Sequence, residues 1–146
     1  MARGAAKSQR DDGLMLDTAK ADSKNPNVMH SSLGSVAIAN GLAIVADLHG
    51  SVHCLDEKTG ERHWSYKTYA AIWGSPLIMG DTISVLDEDG VVYSIPLNST
   101  LMTDEIHMHE TAQMLQSSIS FANDNFYISS FSKLLVVPAI EMKRDD

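Results

Sequence analysis

Short apolar runs separated by tight polar turns fill most of the chain. Residues 35–39 alternate apolar and small side chains. Asn40-Gly41 follows them as a strong two-residue hairpin signal, because both central positions of a type I′ turn need positive φ. Three more strand-like runs come next, at residues 42–47, 51–55 and 61–66. The pattern predicts one antiparallel sheet of four short strands.

The same pattern returns 40 residues later. Gly34-Ser35 matches Gly74-Ser75, and the same spacing joins three more pairs: Asp47 and Asp87, Gly50 and Gly90, and Val52 and Val92. A fixed period of about 40 residues, built of short strands and turns, is typical of the blades of a β-propeller.

A third, weaker copy follows at an offset of 43 residues. It matches the second copy at four pairs: Ser75 and Ser118, Asp81 and Asp124, Val85 and Ile128, and Val92 and Leu135. Lys133 stands where the other two copies have a glycine. This turn therefore either uses a different geometry or holds Lys133 in a strained backbone conformation.

The turn residues give the most specific local predictions. Hairpin turns are expected at Asn40-Gly41, Glu88-Asp89-Gly90 and Asn123-Asp124. Gly50 and Gly90 are expected to hold equivalent turn positions, and Gly60 fits the left-handed position of a bulged hairpin.

The predicted fold is all-β, a partial β-propeller of about three four-stranded antiparallel blades. The repeats span about 34–73, 74–116 and 117–141, and the last one reaches the chain end without a fourth strand. Residues 1–33 lack a sustained helical or strand period and are rich in Ala, Lys, Asp, Ser and Asn. We expect this segment to be disordered or linker-like.

Composition narrows the classes of function. The net charge of −8 argues against nucleic-acid binding through broad electrostatic attraction to the phosphates. No apolar stretch is long enough to span a bilayer, and polar residues stand where a signal peptide needs its apolar run. The single cysteine, Cys54, allows no disulfide within the chain.

Residues 46–64 carry a family resemblance. The run Asp47-Leu48-His49-Gly50, the strand ending in Leu55-Asp56, and the following Thr59-Gly60 and Trp64 closely resemble the repeat of pyrroloquinoline-quinone-like (PQQ-like) propellers. That family includes quinone-dependent alcohol dehydrogenases and envelope propellers such as the outer-membrane assembly lipoprotein. The chain looks most like the envelope group, which implies a location in the periplasm or cell envelope.

The resemblance also implies roles for two tryptophans. Trp64 would dock on the adjacent blade, against the strands opened by Gly74-Ser75 or Ser117-Ser118. Its ring can cover the junction between blades while its N–H reaches a carbonyl. Trp73 precedes an inner strand, where it either packs between blades or stacks on a flat ligand; packing is the favoured interpretation.

No cofactor is predicted for this chain. In the resembling dehydrogenases, pyrroloquinoline quinone and calcium are held with the help of a disulfide between adjacent cysteines, which one cysteine cannot form. His107 and His109 share a strand face and are the weak candidates for a metal site, which would still need a third ligand. His49 and His53 are expected to be surface or edge residues. No catalytic residues are predicted, and no Ser/His/Asp arrangement stands out.

The sequence therefore predicts a non-catalytic module of a larger PQQ-like propeller that binds protein or cell-envelope partners. Further blades or self-association are expected to complete the ring. The alternative is a remnant of a quinone-dependent oxidoreductase of the alcohol dehydrogenase type.

Overall fold

In the computed structural model the described residues are 7–10, 13–16 and 29–139. They contain thirteen strands and one 3₁₀ helix, Thr103–Glu105. The strands are β1 (Lys7–Arg10), β2 (Gly13–Leu16), β3 (Ala37–Ala39), β4 (Leu42–Ala46), β5 (Ser51–Asp56), β6 (Arg62–Lys67), β7 (Leu77–Met79), β8 (Thr82–Leu86), β9 (Val91–Pro96), β10 (His107–Glu110), β11 (Ile119–Ala122), β12 (Asn125–Ser129) and β13 (Leu134–Pro138).

All neighbouring strands pair antiparallel, in sequence order. Strands β3–β6 form the first blade, β7–β10 the second, and β11–β13 the third, while β1 and β2 pair as a separate hairpin. The third blade has three strands within residues 29–139. The prediction of an all-β fold built from propeller blades is confirmed.

The hairpin turns follow the predicted chemistry. Asn40 and Gly41 both have positive φ, at 53° and 79°, and Asn123 and Asp124 repeat this at 50° and 59°. Positive φ at both central positions defines the type I′ turn, whose twist matches that of the flanking strands. The turn ending in Gly90, with φ at 93°, is also where it was predicted.

The third blade departs from the predicted alignment at its second hairpin. Leu86 pairs with Val92 across five residues (87–91), whereas Ser129 pairs with Leu134 across only four (130–133). Leu134 therefore takes the place of Val92, and the predicted match of Leu135 to Val92 is wrong. The shift follows from the lost glycine position.

Without that glycine, the third turn closes through a serine. The Ser130 N–H donates to the Lys133 carbonyl at 2.8 Å, and the Lys133 N–H donates to the Ser130 hydroxyl at 3.1 Å. Lys133 is not among the described residues with positive φ. Of the two alternatives for this turn, the different geometry is the one adopted.

The hydrophobic core lies between blades. Ile44, Val52 and Trp64 of the first blade pack in one buried cluster with Ile83 and Tyr93 of the second. A second cluster joins the other face of the second blade to the third, through Leu86, Val92, Leu115, Ile119, Phe126 and Ile128. Each sheet therefore buries apolar side chains against a neighbouring sheet.

Some described residues fall within the segment 1–33, for which a disordered or linker-like state stays a prediction. Strands β1 and β2 pair within it, and the Ser31 carbonyl accepts the Leu48 N–H at 2.9 Å. The Ala71 carbonyl accepts the Glu88 N–H in the same way at 2.8 Å, so the repeat reaches at least three residues ahead of residue 34. The domain boundary at residues 33 and 34 stays a prediction, and residues 140 and 141 of the third repeat lie outside the described part.

The described ranges contain no helix that is long and hydrophobic enough to span a membrane.

Candidate functional site

A buried aspartate organises the hairpin loop between the second and third strands of the first two blades. Asp47 Oδ1 accepts the N–H groups of His49 and Ser51 at 3.0 and 2.9 Å. Asp87 Oδ1 accepts the Val91 N–H at 3.1 Å. Both carboxylates are buried, and these bonds hold the loop in the shape that brings a glycine to its end.

The second oxygen of each aspartate meets a side chain six residues further on. Asp47 Oδ2 lies 3.0 Å from His53 Nε2, and Asp87 Oδ2 accepts the Tyr93 hydroxyl at 2.9 Å. His53 and Tyr93 hold the same position in their blades and both are buried. The expectation that His53 is a surface or edge residue is wrong, because the aspartate behind it draws its ring into the sheet face.

His53 also reaches a serine on the neighbouring strand. Its Nδ1 lies 2.7 Å from Ser65 Oγ, so Ser65, His53 and Asp47 form a hydrogen-bonded chain that the sequence did not indicate. The repeat explains its main role. Tyr93 fixes Asp87 with a single hydroxyl and no base, so the shared function of this position is to satisfy the buried carboxylate.

Asp47 is the most strongly shifted acid in the site. Burial alone would raise its pKa, but the hydrogen bond with His53 and those from the Ser51 and His30 N–H groups outweigh it and lower the pKa to about 2. These groups stabilise the charged form. The carboxylate is therefore a structural anion at neutral pH.

Lowering the pH should remove the stabilisation that the Asp47 carboxylate provides. A carboxyl whose folded pKa is below its unfolded value of 3.8 stabilises the fold above that value, and the contribution is lost as pH falls toward about 2. Between pH 5 and pH 2 the free energy of unfolding should fall by up to about 2 kcal/mol more in the wild type than in Asp47→Asn, which has no carboxyl to protonate at this position. Urea denaturation at both pH values measures it. The exposed turn residue Asp81 supplies the control variant, Asp81→Asn, and equal pH dependence in both variants would contradict the role of Asp47.

The inner ends of the blades approach through glycine and serine. The Ser35 N–H donates to Ser75 Oγ at 2.8 Å, and the Ser75 N–H donates to Ser118 Oγ at 2.9 Å. A Cβ added to Gly34 would overlap the Gly74 carbonyl, and one added to Gly74 would overlap the Ser117 carbonyl. The repeated Gly-Ser pair thus sets the spacing of the blades near the axis.

The outer end of the first junction is closed by Trp64. Its ring is buried in the cluster between the first two blades, and its Nε1–H donates to the Asn98 carbonyl at 2.8 Å. Asn98 lies in the loop after β9, so the polar contact is made there rather than at the strands opened by Gly74 or Ser117. Cys54 Sγ lies 3.8 Å from the same carbonyl, and burial raises the pKa of this thiol to about 11.

The strand register shows what replaces Trp64 in the second blade. Trp64 pairs with Cys54, and His107 pairs with Ser94, which is the residue 40 positions after Cys54. His107 thus occupies the position from which Trp64 covers the first junction. It is exposed, whereas Trp64 is buried.

The two metal candidates lie on the outer strand of the second blade. His109 takes the position of Tyr66, so His107 and His109 share the strand face that turns toward the third blade. Within the described residues no group of three His, Cys, Asp or Glu side chains is placed to hold an ion. The described residues therefore do not supply the third ligand that a metal site at His107 and His109 would require.

Trp73 lies at the same end of the blades as the aspartate loops. Its Nε1–H donates to Glu88 Oε2 at 3.1 Å, and the Gln116 amide donates to Glu88 Oε1 at 3.1 Å. Through this bond, the half-buried Trp73 links the connection between the first two blades to the β8–β9 hairpin loop. Glu88 and Gln116 were not predicted; the only available signal was that Gln116 follows Trp73 by the offset of 43 residues.

Antiparallel blades packed face to face, with a tryptophan covering the first junction, are the architecture of a PQQ-like β-propeller. Comparison with protein families agrees: the family described as outer membrane protein assembly factor BamB matches residues 9–101, more than half of the chain. The chain belongs to this family, as the resemblance implied. No curated protein sequence matches the chain.

Two solved structures share the fold at low sequence identity, and a third is similar with a lower score. A quinohemoprotein alcohol dehydrogenase from Pseudomonas putida HK5 is 13% identical with a TM-score of 0.58, over 68% of this chain and 17% of its own. A europium-containing methanol dehydrogenase is 17% identical with a TM-score of 0.53, over 66% and 25%. BamB from Moraxella catarrhalis is 16% identical with a TM-score of 0.47, over 75% and 47%. The chain therefore spans less than half the length of each.

Proposed function

We propose that this chain is a non-catalytic blade module of a larger PQQ-like propeller that binds a protein partner in outer-membrane protein assembly. One observation carries the non-catalytic part. The buried polar side chains hold the blades themselves, since Asp47, Asp87 and Trp64 each bond to a turn or to the next blade. Among the described residues every buried side-chain nitrogen and oxygen has a hydrogen-bond partner, which fits a structural role for these groups.

The need for further blades is supported by exposure. Val52 and Val92 hold one position in successive blades and are buried by the blade that follows, whereas Leu134 holds it in the third blade and is exposed. A propeller closes with about four to eight blades. Blades beyond the three described here would cover this face.

The assembly role is supported by the family and by the shape of the module. Propellers present their loops at the two ends of the ring, where protein partners bind. One end of these blades carries large exposed apolar side chains in its connections and hairpin loops, among them Tyr69 and Phe131. The net charge of −8 favours a protein partner over nucleic acid.

Cross-linking tests this part. A photoreactive residue at Tyr69 or Phe131 should capture a component of the outer-membrane assembly machinery when the chain is produced in a Gram-negative periplasm. The control position is Asp104, an exposed residue in the loop between β9 and β10, at the opposite end of the blades. Equal capture from both ends, or none from either, would contradict the proposal.

The alternative is a remnant of a quinone-dependent oxidoreductase, favoured by the fold shared with the quinohemoprotein alcohol dehydrogenase. The single cysteine cannot form a disulfide between adjacent cysteines. We expect no tight binding of pyrroloquinoline quinone with calcium. Isothermal calorimetry measures it, with a quinoprotein dehydrogenase as positive control. Stoichiometric micromolar binding that Trp73→Ala abolishes would establish the alternative.

A further inference from the structure

We infer that Glu88 anchors a protein-docking surface whose partner presents an arginine flanked by apolar side chains. The inference rests on the proposed protein-binding role of this end of the blades, and it names the chemistry of the segment that docks there. It is carried by a carboxylate that is fixed in place between two exposed apolar side chains, Tyr69 and Met114.

Both oxygens of the Glu88 carboxylate accept N–H groups from blade connections. The Trp73 Nε1–H donates to Oε2 and the Gln116 amide donates to Oε1, each at 3.1 Å. Trp73 lies in the connection between β6 and β7, and Gln116 lies in the connection between β10 and β11. The carboxylate is therefore held in one orientation, so a partner that binds it has little side-chain entropy to remove.

The backbone of Glu88 is bonded to the same two connections. Its N–H donates to the Ala71 carbonyl at 2.8 Å, and its carbonyl accepts the Leu115 N–H at 3.2 Å. Each connection joins two described blades, so the exposure of its side chains is set by contacts within the chain.

Large exposed apolar side chains stand beside both backbone contacts. Tyr69, two residues before Ala71, is 80% exposed, and Met114, directly before Leu115, is 56% exposed. Exposed aromatic and methionine side chains of this kind are enriched where proteins bind each other. They place apolar surface on either side of the fixed carboxylate.

The connection that carries Tyr69 is also held in place. The Tyr69 N–H donates to the Tyr93 hydroxyl at 3.4 Å, and this hydroxyl donates to Asp87, the residue before Glu88. The backbone at the exposed tyrosine and the anchoring carboxylate are thus joined through one buried network. This surface is built before a partner arrives.

The charge of Glu88 has no cation beside it in the part of the chain that the structure describes. The ion pair found there joins His53 and Asp47, and no Lys, Arg or His side chain there lies within ion-pair distance of Glu88. Each oxygen accepts one N–H and keeps further acceptor capacity. The half-buried carboxylate is therefore complementary to a cation from a partner.

Arginine fits this site better than lysine does. Its planar guanidinium can donate to both carboxylate oxygens at once, whereas a lysine ammonium acts as a point charge. A guanidinium also stacks on aromatic rings, which Tyr69 offers, and the flexible Met114 can adapt to apolar neighbours of the arginine. The net charge of −8 adds long-range attraction for a basic segment.

Fluorescence anisotropy with short labelled peptides tests the inference on the full chain. The first peptide carries one arginine between leucine and phenylalanine residues. The second replaces the arginine with citrulline, which has a similar shape but no charge, and the third replaces it with lysine. We expect the arginine peptide to bind roughly tenfold or more tightly than the citrulline peptide, with the lysine peptide in between. Added salt should weaken the arginine peptide more than the citrulline peptide.

Variants of the chain locate the preference. Glu88→Gln should bring the arginine and citrulline peptides to equal affinity. Asp89→Asn is the matched control, because it removes the same charge from the next, exposed residue of the turn and should keep the preference. Gln116→Ala leaves the charge but releases one oxygen, so it should reduce the preference for arginine over lysine, which a loss of stability alone would not change. Tyr69→Ala should weaken all three peptides. Circular dichroism verifies the folding of each variant.

Equal binding of the arginine and citrulline peptides by the wild type would overturn the inference and leave an apolar docking surface only. Loss of the preference in Asp89→Asn as well would overturn it too, because the attraction would then come from the overall charge. If no peptide binds, the inference also fails. Cross-linking from Tyr69 can still capture an assembly component in that case, so this failure is distinguishable from a failure of the proposed function.

Discussion

Replacing Gly50 with alanine should lower the free energy of unfolding by about 4 kcal/mol, from a positive φ that costs roughly 1–3 kcal/mol and from overpacking that costs a similar amount. Gly50 has φ at +78°, and a Cβ there would overlap the Ala70 carbonyl oxygen. That carbonyl also accepts the Thr68 hydroxyl, so it cannot move freely. Urea denaturation followed by circular dichroism measures the loss.

Gly41→Ala is the matched control. Gly41 has nearly the same φ, +79°, but nothing lies within 4 Å of the added Cβ. Its cost should be only about 1–2 kcal/mol, which is the ordinary cost of a left-handed conformation for a residue with a side chain. Gly90→Ala should behave like Gly50→Ala, because its Cβ would overlap the Gln113 carbonyl. Equal losses at Gly41 and Gly50 would show that the close approach is unimportant.

This contrast shows what the sequence could predict about the fold. The glycine and asparagine turns were predictable because positive φ is a local demand that few residues meet. Their 40-residue spacing then gave the blades. The close backbone approach at Gly50 was not predictable, because it depends on a connection about 20 residues away in the chain.

The third blade shows where the period misleads. A constant offset placed Lys133 at a glycine position and matched Leu135 to Val92. The serine-closed turn at Ser130 is one residue shorter and shifts the following strand. A one-residue change in a hairpin loop exchanges the two faces of a strand, so that a period alone cannot decide which side chains face the core.

The candidate site was predictable only in part. The family resemblance indicated that Trp64 covers a blade junction, but its acceptor on Asn98 belongs to a loop without a repeat signal. The surface prediction for His53 is wrong because nothing in the sequence around a single histidine indicates its hydrogen-bond partner, here Asp47. Aligning it with Tyr93 would have suggested one shared role, since both follow a turn aspartate by six residues.

Trp64→Ala should lower the free energy of unfolding by about 3–5 kcal/mol, the usual cost of truncating a buried large aromatic side chain. The variant also leaves the Asn98 carbonyl without the indole N–H. Trp64→Phe is the matched control: it keeps an aromatic ring but removes the donor, so it should lose less. A loss below about 1 kcal/mol for the alanine variant, typical of surface changes, would show that Trp64 does not hold the junction.

A local measurement tests whether the lost stability belongs to the blade junction. Cys54 is buried beside the Asn98 carbonyl that Trp64 binds, and its raised pKa keeps the thiol protonated and slow to react. Opening the junction gives solvent access to this sulfur. We therefore expect a thiol reagent to modify Cys54 much faster in Trp64→Ala than in the wild type, already under native conditions. Asp81→Asn, at an exposed turn, should leave the rate unchanged. If Trp64→Ala is strongly destabilised but Cys54 reacts only as fast as the whole chain unfolds, the tryptophan stabilises the whole fold and does not specifically keep this junction closed.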